Sequence, residues 1–264
     1  MPDAPVVLVD DAGGVRTLTM NRPASYNSLT AELKVQLLTE VQRAAADSAV
    51  RAVVLTGAGP AFCAGQDLRE HAALLDAGDP APLATVERHF NPLVRSIATV
   101  PKPVIAAVNG MAAGAGASLA YACDLRVAAS SARFLMAFAT IGLTVDSGGS
   151  WTLPRLIGYG RAMEMLLLAE PVGAPRALEI GMVTRVVPDG SALAAAQELA
   201  GRLATGPTTA FAKIKEAVSA AATADLPEAL AVEAGTQAEA GATADHREGV
   251  AAFVEKRPPV FTGR

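Results

Sequence analysis

The stretch NGMAAGAGASL, residues 109–119, decides how this chain folds. It follows an apolar run, PVIAAV (103–108), and opens on Asn109-Gly110, a pair that tolerates positive φ and marks a tight turn. From Ala112 to Ala117 every side chain is small, so another part of the chain can approach the backbone closely. The pattern predicts strand, turn and helix, with the helix beginning near Ala113. A helix N-terminus carries unpaired N–H groups and a partial positive charge, which suits a developing oxyanion. Close packing of the helix on a neighbour explains the same composition, and the residues alone leave both readings open.

A second junction has the same character. FCAGQDL (62–68) follows another apolar strand, RAVVLTG (51–57). Two strand-to-loop junctions built of small residues can bring two backbone N–H groups to one point, and two such donors on one carbonyl oxygen make an oxyanion hole.

Composition narrows the classes. The 264 residues are 51% hydrophobic, enough for one generous domain or a core with an appendage, and far from the composition of a disordered chain. With 22 Lys and Arg against 26 Asp and Glu, and no basic block, the chain has no footprint for nucleic acid. Cys63 and Cys123 lie in apolar surroundings without CxxC or metal spacing, and read as reduced core thiols. Cys63 as a nucleophile is the alternative, but no His is placed by sequence to activate it. His71, His89 and His246 are scattered with no ligand spacing, so no metal is expected. The acidic start MPDAPVVLVDD lacks the cationic region of a secretory signal, and a cytoplasmic protein is expected. Residues 104–123 are nearly uncharged and contain Gly110-xxx-Gly114, but Pro103, Asn109-Gly110 and the Ala/Gly bulk argue against a membrane span.

In chain order, residues 6–9 and 15–20 read as strands about a Gly13-Gly14 hairpin turn. Thr30 can cap a helix to about residue 46, with Leu33, Leu37, Leu38 and Val41 on one face. Strands are predicted at 52–56, 104–108, 124–128, 134–136 and 183–187. Helices are predicted at 86–98, 113–121, 151–157, 161–168, 174–180, 191–204, 207–221, 226–240 and 245–255. Residues 75–82 read as a surface excursion. Strands alternating with helices, then helices alone, give an α/β fold with a core over 1–190 and a helical subdomain over 191–264. There is no Walker motif and no GxGxxG after the first strand.

FCAGQDL, PKPVIAAVNGMAAGAGASLAYACDLRVAA (101–129) and IGLTVDSGGSWTLPRLIG (141–158), in this order and spacing, resemble the crotonase superfamily, the enoyl-CoA hydratases and isomerases. The likeness runs from NRPASYNSL (21–29) to REGVAAFVEKRPPVFTG (247–263). It implies a ClpP/crotonase-like spiral of ββα units, a C-terminal helical trimerisation region, and a homotrimer or a hexamer of paired trimers. It also implies an acyl-CoA thioester substrate with no separate cofactor, and an oxyanion hole from the backbone N–H groups of Gln66 and Ala115. Ala64, Gly65, Asp67, Leu68, Gly114 and Phe138 would lie along the substrate, and Arg22 and Lys256 would be candidates for the coenzyme A phosphates. Residues alone give Asp67 a loop-turning role and Arg22 and Lys256 plain surface charge.

The two glutamates with which hydratases of this family position water fall on Ser118 and Phe138. The remaining carboxylate is Asp146, at a position matching the base of dienoyl-CoA isomerases and the nucleophile of 4-chlorobenzoyl-CoA dehalogenases. FLMAFATIGLTVDSGGSWTLPR (134–155), VERHFNPLVR (86–95) and LTGAGPAFCAGQDL (55–68) narrow the likeness to family isomerases that act on a ring epoxide. One carboxylate suits a proton shift between two carbons, and an apolar wall would raise its pKa. Asp146 as a helix cap is the plain alternative. Glu87 reads as a solvated helix face, and Phe90, Phe138 and Trp151 read as core, with Phe138 also available to a substrate ring.

Overall fold

The computed structural model describes residues 4–264, so residues 1–3 of the acidic start lie outside it. Val7–Ala12 (β1) and Val15–Met20 (β2) form the expected hairpin about Gly13-Gly14. Ala31–Ala46 (α1) follows, with the Thr30 hydroxyl accepting the Leu33 N–H at 3.2 Å as N-cap, a contact worth about 1 kcal/mol. Ala52–Gly57 (β3), Ala61–Cys63 (β4) and Leu68–Asp76 (α2) make the first full turn of a spiral.

Asn91–Thr99 (α3) leads into the second turn: Val104–Val108 (β5), Met111–Ala113 (β6) and Ala115–Ala122 (α4). The third is Leu125–Ala129 (β7), Arg133–Leu135 (β8) and Gly149–Ile157 (α5). Then come Tyr159–Leu168 (α6), Val172–Gly173 (β9), Ala174–Glu179 (α7) and Arg185–Val187 (β10). Four helices end the chain: Ala192–Ala204 (α8), Thr208–Ala221 (α9), Leu226–Gly241 (α10) and Ala244–Glu255 (α11).

Each turn thus contributes a long strand to one sheet and a short strand to a second. The large sheet has the order β1-β2-β3-β5-β7-β10, parallel except at the β1–β2 hairpin. The small sheet has the order β4-β6-β8-β9. β3 and β5 are buried along their whole length, which is why they read as unbroken apolar runs. The turns lie very close. A Cβ on Gly116, in α4, would stand 2.3 Å from the Cys63 carbonyl oxygen, so only glycine lets the second turn rest on the first.

One sequence expectation becomes specific here and another changes. The helical tail is expected to pack against the core or a neighbouring subunit, and its first helix, α8, packs against the core. Ala192, Ala196, Ala200 and Ala204 recur every fourth residue and are buried, and the last three pack with strands of the large sheet. Trp151 is not core: it is 42% exposed, with the Arg155 guanidinium 4.2 Å above its ring.

Helices α9 to α11 bury few residues of their own and are docked by polar anchors. Lys215 on α9 meets Asp124 at 2.7 Å. Arg51 donates to the Thr208 hydroxyl (2.9 Å), the Phe261 carbonyl (3.1 Å) and the Gly206 carbonyl. Arg51→Ala leaves these acceptors without a partner. It is expected to lower stability by about 2–4 kcal/mol in urea unfolding; a change below about 0.5 kcal/mol would show that the C-terminal segment docks by other means.

Candidate active site

The loop after β4 is built to hold one amide outward. Asn27 stands in the left-handed region (φ 56°), fully buried, and its side-chain amide donates to the carbonyls of Ala58 (2.9 Å), Ala61 (2.8 Å) and Phe62 (3.2 Å). The Leu29 N–H donates to Gly65 O (2.8 Å) and the Asp67 N–H to Leu29 O (3.2 Å). Gln66 lies between these two bonds, and its own N–H has no protein acceptor among the described residues. Gly65 has φ +88°, and a Cβ there would stand 2.8 Å from Ala113 O and 3.4 Å from Ala115 N. The loop thus passes directly beside the start of α4. The N–H of Ala115, first residue of that helix, likewise has no protein acceptor among the described residues. The helix begins at Ala115 rather than Ala113 because residues 111–113 pair as β6.

Asp67 locks this loop. Its carboxylate caps α2 by accepting the N–H groups of Arg69 (3.1 Å) and Glu70 (3.2 Å), and takes bonds from Arg22 (2.9 Å) and Ser28 (2.8 Å). Burial raises its pKa, but the bonds from Arg22, Ser28 and the Glu70 amide outweigh that and hold it at about 2. Asp67 therefore turns the loop and does not line the cavity. Arg22 faces inward onto Asp67, Ser28 O and Ser28 Oγ, which is the role of an anchor, not of a free phosphate ligand. Lys256 is the left-handed residue that ends α11, away from the lining of this cavity.

The third component comes from the turn before α5. Ser147 and Gly148 both have positive φ, 53° and 74°. Ser147 is buried, and left-handed backbone at a non-glycine residue costs about 1 kcal/mol. The turn closes with Gly149 N–H to Asp146 O at 2.9 Å, and the buried Ser118 hydroxyl reaches the same carbonyl at 3.4 Å. Gly148, not Asp146, is the N-cap of α5. The Asp146 side chain accepts only the Ser147 hydroxyl (2.8 Å) among the described residues and lines the cavity. Burial pushes its pKa up, partly offset by the Ser147 bond and the positive charge of Lys34.

These elements enclose a cavity of about 160 Å³. Ala64, Gly65, Gln66, Leu68, Gly114, Ala115, Phe138 and Asp146 line it together. Leu83, Val86, Phe90, Ile141 and Leu143 complete an apolar wall, with Thr85, Thr140 and His71 as further polar members. Glu87 points away and is exposed. Cys63 is fully buried, with its thiol toward Asn27 O (3.2 Å) and its pKa pushed up by burial to about 12, so it is no nucleophile.

Lys34 was not anticipated. It lies on α1 with no exposed surface, and its ammonium donates to Gln66 Oε1 (2.9 Å) and Thr85 Oγ1 (2.5 Å). Its position three residues before Leu37 and seven before Val41 places it on the buried stripe of the helix, a signal present in the sequence.

Taken together, the arrangement offers two unpaired backbone donors on neighbouring loops and a single carboxylate of raised pKa in one largely apolar chamber. That combination can remove a proton beside a carbonyl and stabilise the resulting enolate.

The family model for enoyl-CoA hydratase/isomerase matches residues 10–264. The 1,2-epoxyphenylacetyl-CoA isomerase of Escherichia coli K12 is 49% identical over 95% of this chain and 96% of that protein. A probable enoyl-CoA hydratase of Rhodobacter capsulatus is 48% identical over 95% of each. The solved structure of an enoyl-CoA hydratase from Polaromonas sp. JS666 superposes with a TM-score of 0.92 at 37% identity, over 97% of this chain and 99% of that one.

The raised pKa of Asp146 has a consequence for stability. A carboxyl whose folded pKa lies above its unfolded value stabilises the fold fully below the unfolded pKa, and that contribution is lost as pH rises through the folded pKa. Asn is neutral throughout. Asp146→Asn is therefore expected to melt above wild type at pH 7, with the difference closing towards about pH 4. A lower melting temperature at pH 7 would contradict the burial of an ionised Asp146.

Proposed function

The chain belongs to the enoyl-CoA hydratase/isomerase family, and from that premise we propose that it is an acyl-CoA isomerase working through one carboxylate. The observation that carries this reading is that Asp146 is the sole carboxylate lining the cavity among the described residues, beside the two free amides of Gln66 and Ala115.

The reaction then follows from the geometry. With the thioester oxygen at the two amides, ionised Asp146 takes a proton from the α-carbon, and the electron pair moves into an enolate. The negative charge leaves the carboxylate and arrives on the oxygen, where the two N–H donors bind it more strongly than the neutral carbonyl. Each donor of this kind is worth about 3 kcal/mol in the transition state. Asp146 returns the same proton to the γ-carbon, and the double bond moves into conjugation. The apolar wall keeps water from the enolate and favours Asp146 in its protonated intermediate state. A ring-epoxide thioester, the substrate class in the name of the E. coli relative, uses the same base and the same oxyanion site to reach an oxepin.

Hydration is the second reading, favoured by the hydratase name of the R. capsulatus relative. It requires a water held by acid–base groups. Ser118 is engaged with the Asp146 carbonyl and Phe138 is an apolar wall, so neither supplies one.

Assembly as a trimer or paired trimers belongs to this proposal as well. α9 to α11 carry Ile214, Val218, Leu226, Val250, Phe253 and Val254 on exposed surface, and such apolar side chains suit contact with other copies of the chain. No helix among the described residues is long and apolar enough to cross a membrane.

The test is product analysis by mass spectrometry with a 3-enoyl-CoA, a 2-enoyl-CoA and a ring-epoxide CoA. Isomers of unchanged mass are expected, with turnover falling about 10³-fold in Asp146→Asn while CoA-ester binding stays within a few-fold. A gain of one water from the 2-enoyl-CoA would establish hydration instead. A stable adduct on Asp146 would mark it as a nucleophile.

A further inference from the structure

The buried ammonium behind the cavity has no part in the proton shuttle as derived so far. Lys34 is fully buried, yet three of its neighbours face the acyl chamber: Gln66, Thr85 and Phe90. It donates to the Gln66 side chain and to the Thr85 hydroxyl, and stands 4.5 Å from the centre of the Phe90 ring. These partners belong to separate parts of the fold. Gln66 is the oxyanion-loop residue. Thr85 precedes and Phe90 ends a π-helical turn, Val86–Phe90, that contributes to the wall of the chamber. That turn exists because Pro92 has no N–H for the Arg88 carbonyl, and the Asn91 N–H reaches back to Val86 O instead.

We infer that Lys34 is a positioning residue of the isomerisation: its ammonium clamps the oxyanion loop to the wall that carries Thr85 and supplies a fixed positive charge behind the chamber that the base and the enolate share. This inference rests on the isomerase reading for its kinetic part.

The hydrogen-bond directions fit a charged lysine. An ammonium donates only, so the Thr85 oxygen accepts from Lys34, and the same hydroxyl lies 3.0 Å from His89 Nδ1. Burial and the Lys34 charge lower the pKa of His89. The charged groups around Lys34 come from several elements. Burial lowers the pKa of Lys34, and Glu70 on α2, Asp146 before α5 and Asp67 at the α2 cap partly offset this by favouring the ammonium. Glu70 is itself held at the N-terminus of α1, accepting the Ala31 N–H with both oxygens at 3.1 Å.

A fixed cation here matters because both sites of negative charge lie in the chamber lined by its two hydrogen-bond acceptors, Gln66 and Thr85. The negative charge begins on Asp146 and moves to the oxygen held by the Gln66 amide, and Lys34 is coupled to the first and bonded to the side chain of the second. Such a charge favours the ionised base and the enolate without reorganising between them.

The test uses Lys34→Met, of similar length and apolar, and Lys34→Gln, which keeps a donor without charge. Two readouts are taken on folded protein, judged by thermal melts. The first is a ¹³C carboxyl NMR titration of Asp146 in the free enzyme. Without the cation the carboxylate is less favoured, so its midpoint is expected to rise by about one pH unit in both variants. The second is the pH profile with a 3-enoyl-CoA. Its acid limb is expected to move up by the same amount, with kcat about tenfold lower at its plateau and KM within about threefold. An unmoved Asp146 midpoint overturns the inference, as does a plateau kcat equal to wild type in both variants. If wild type isomerises no thioester, the isomerase reading fails on its own, and the NMR midpoint still decides whether Lys34 acts on Asp146.

Discussion

The structure depends on how closely the second turn of the spiral lies on the first. Gly110, Gly116 and Gly65 mark the contact, where added Cβ atoms would fall 2.0 Å from Pro60 O, 2.3 Å from Cys63 O and 2.8 Å from Ala113 O. These are backbone atoms, which cannot swing away as a flexible side chain can. The glycines therefore fix the distance between two backbones, and with it the separation of the Gln66 and Ala115 amides. Under the proposed function such a pair of donors is held in place before any ligand arrives, which is what an oxyanion site requires. The stripe of small residues that suggested either close packing or anion binding provides the packing, and the packing sets the two amides side by side.

Around that fixed point the charges are unevenly divided. Asp67 is wrapped in donors and held strongly acidic, so it is a permanent anion that shapes a loop. Asp146 has one hydroxyl partner, an apolar surround and a raised pKa, so it can exchange a proton. Two aspartates of identical chemistry are shifted in opposite directions by their surroundings, which is the basis for proposing a structural role for one and a chemical role for the other. Ser118 and Phe138 deepen the contrast. One supports the carbonyl of Asp146 from below, and the other closes the chamber with a ring 3.9 Å from where a Cβ on Gly114 would be.

Much of this was legible in the sequence. The long strands and nearly every long helix follow from apolar runs and helical periodicity, and the motif order pointed to the spiral. The short strands β4 and β6 did not, because three residues such as AFC or MAA show no period and pair only through the neighbouring turn. α2 was missed because it buries none of its residues and so leaves no apolar stripe, although Asp67 and Glu70 form a recognisable helix-start pair. The face that α8 covers was not legible either. Its alanines every fourth residue were visible, but the sheet face they cover is assembled from strands far apart in sequence. Lys34 escaped for a similar reason: a lysine on an apolar helix face gains meaning only when Gln66, Thr85 and Phe90 converge on it.

The central claim is that one carboxylate carries one proton between two carbons of a thioester enolate. A 3-enoyl-CoA bearing deuterium at the α-carbon measures this directly. If Asp146 performs both transfers within a closed apolar chamber, a substantial share of the deuterium reappears at the γ-carbon of the 2-enoyl product in ordinary water. Complete loss of the label to solvent at the earliest turnovers, or a product carrying an added hydroxyl, would contradict the account.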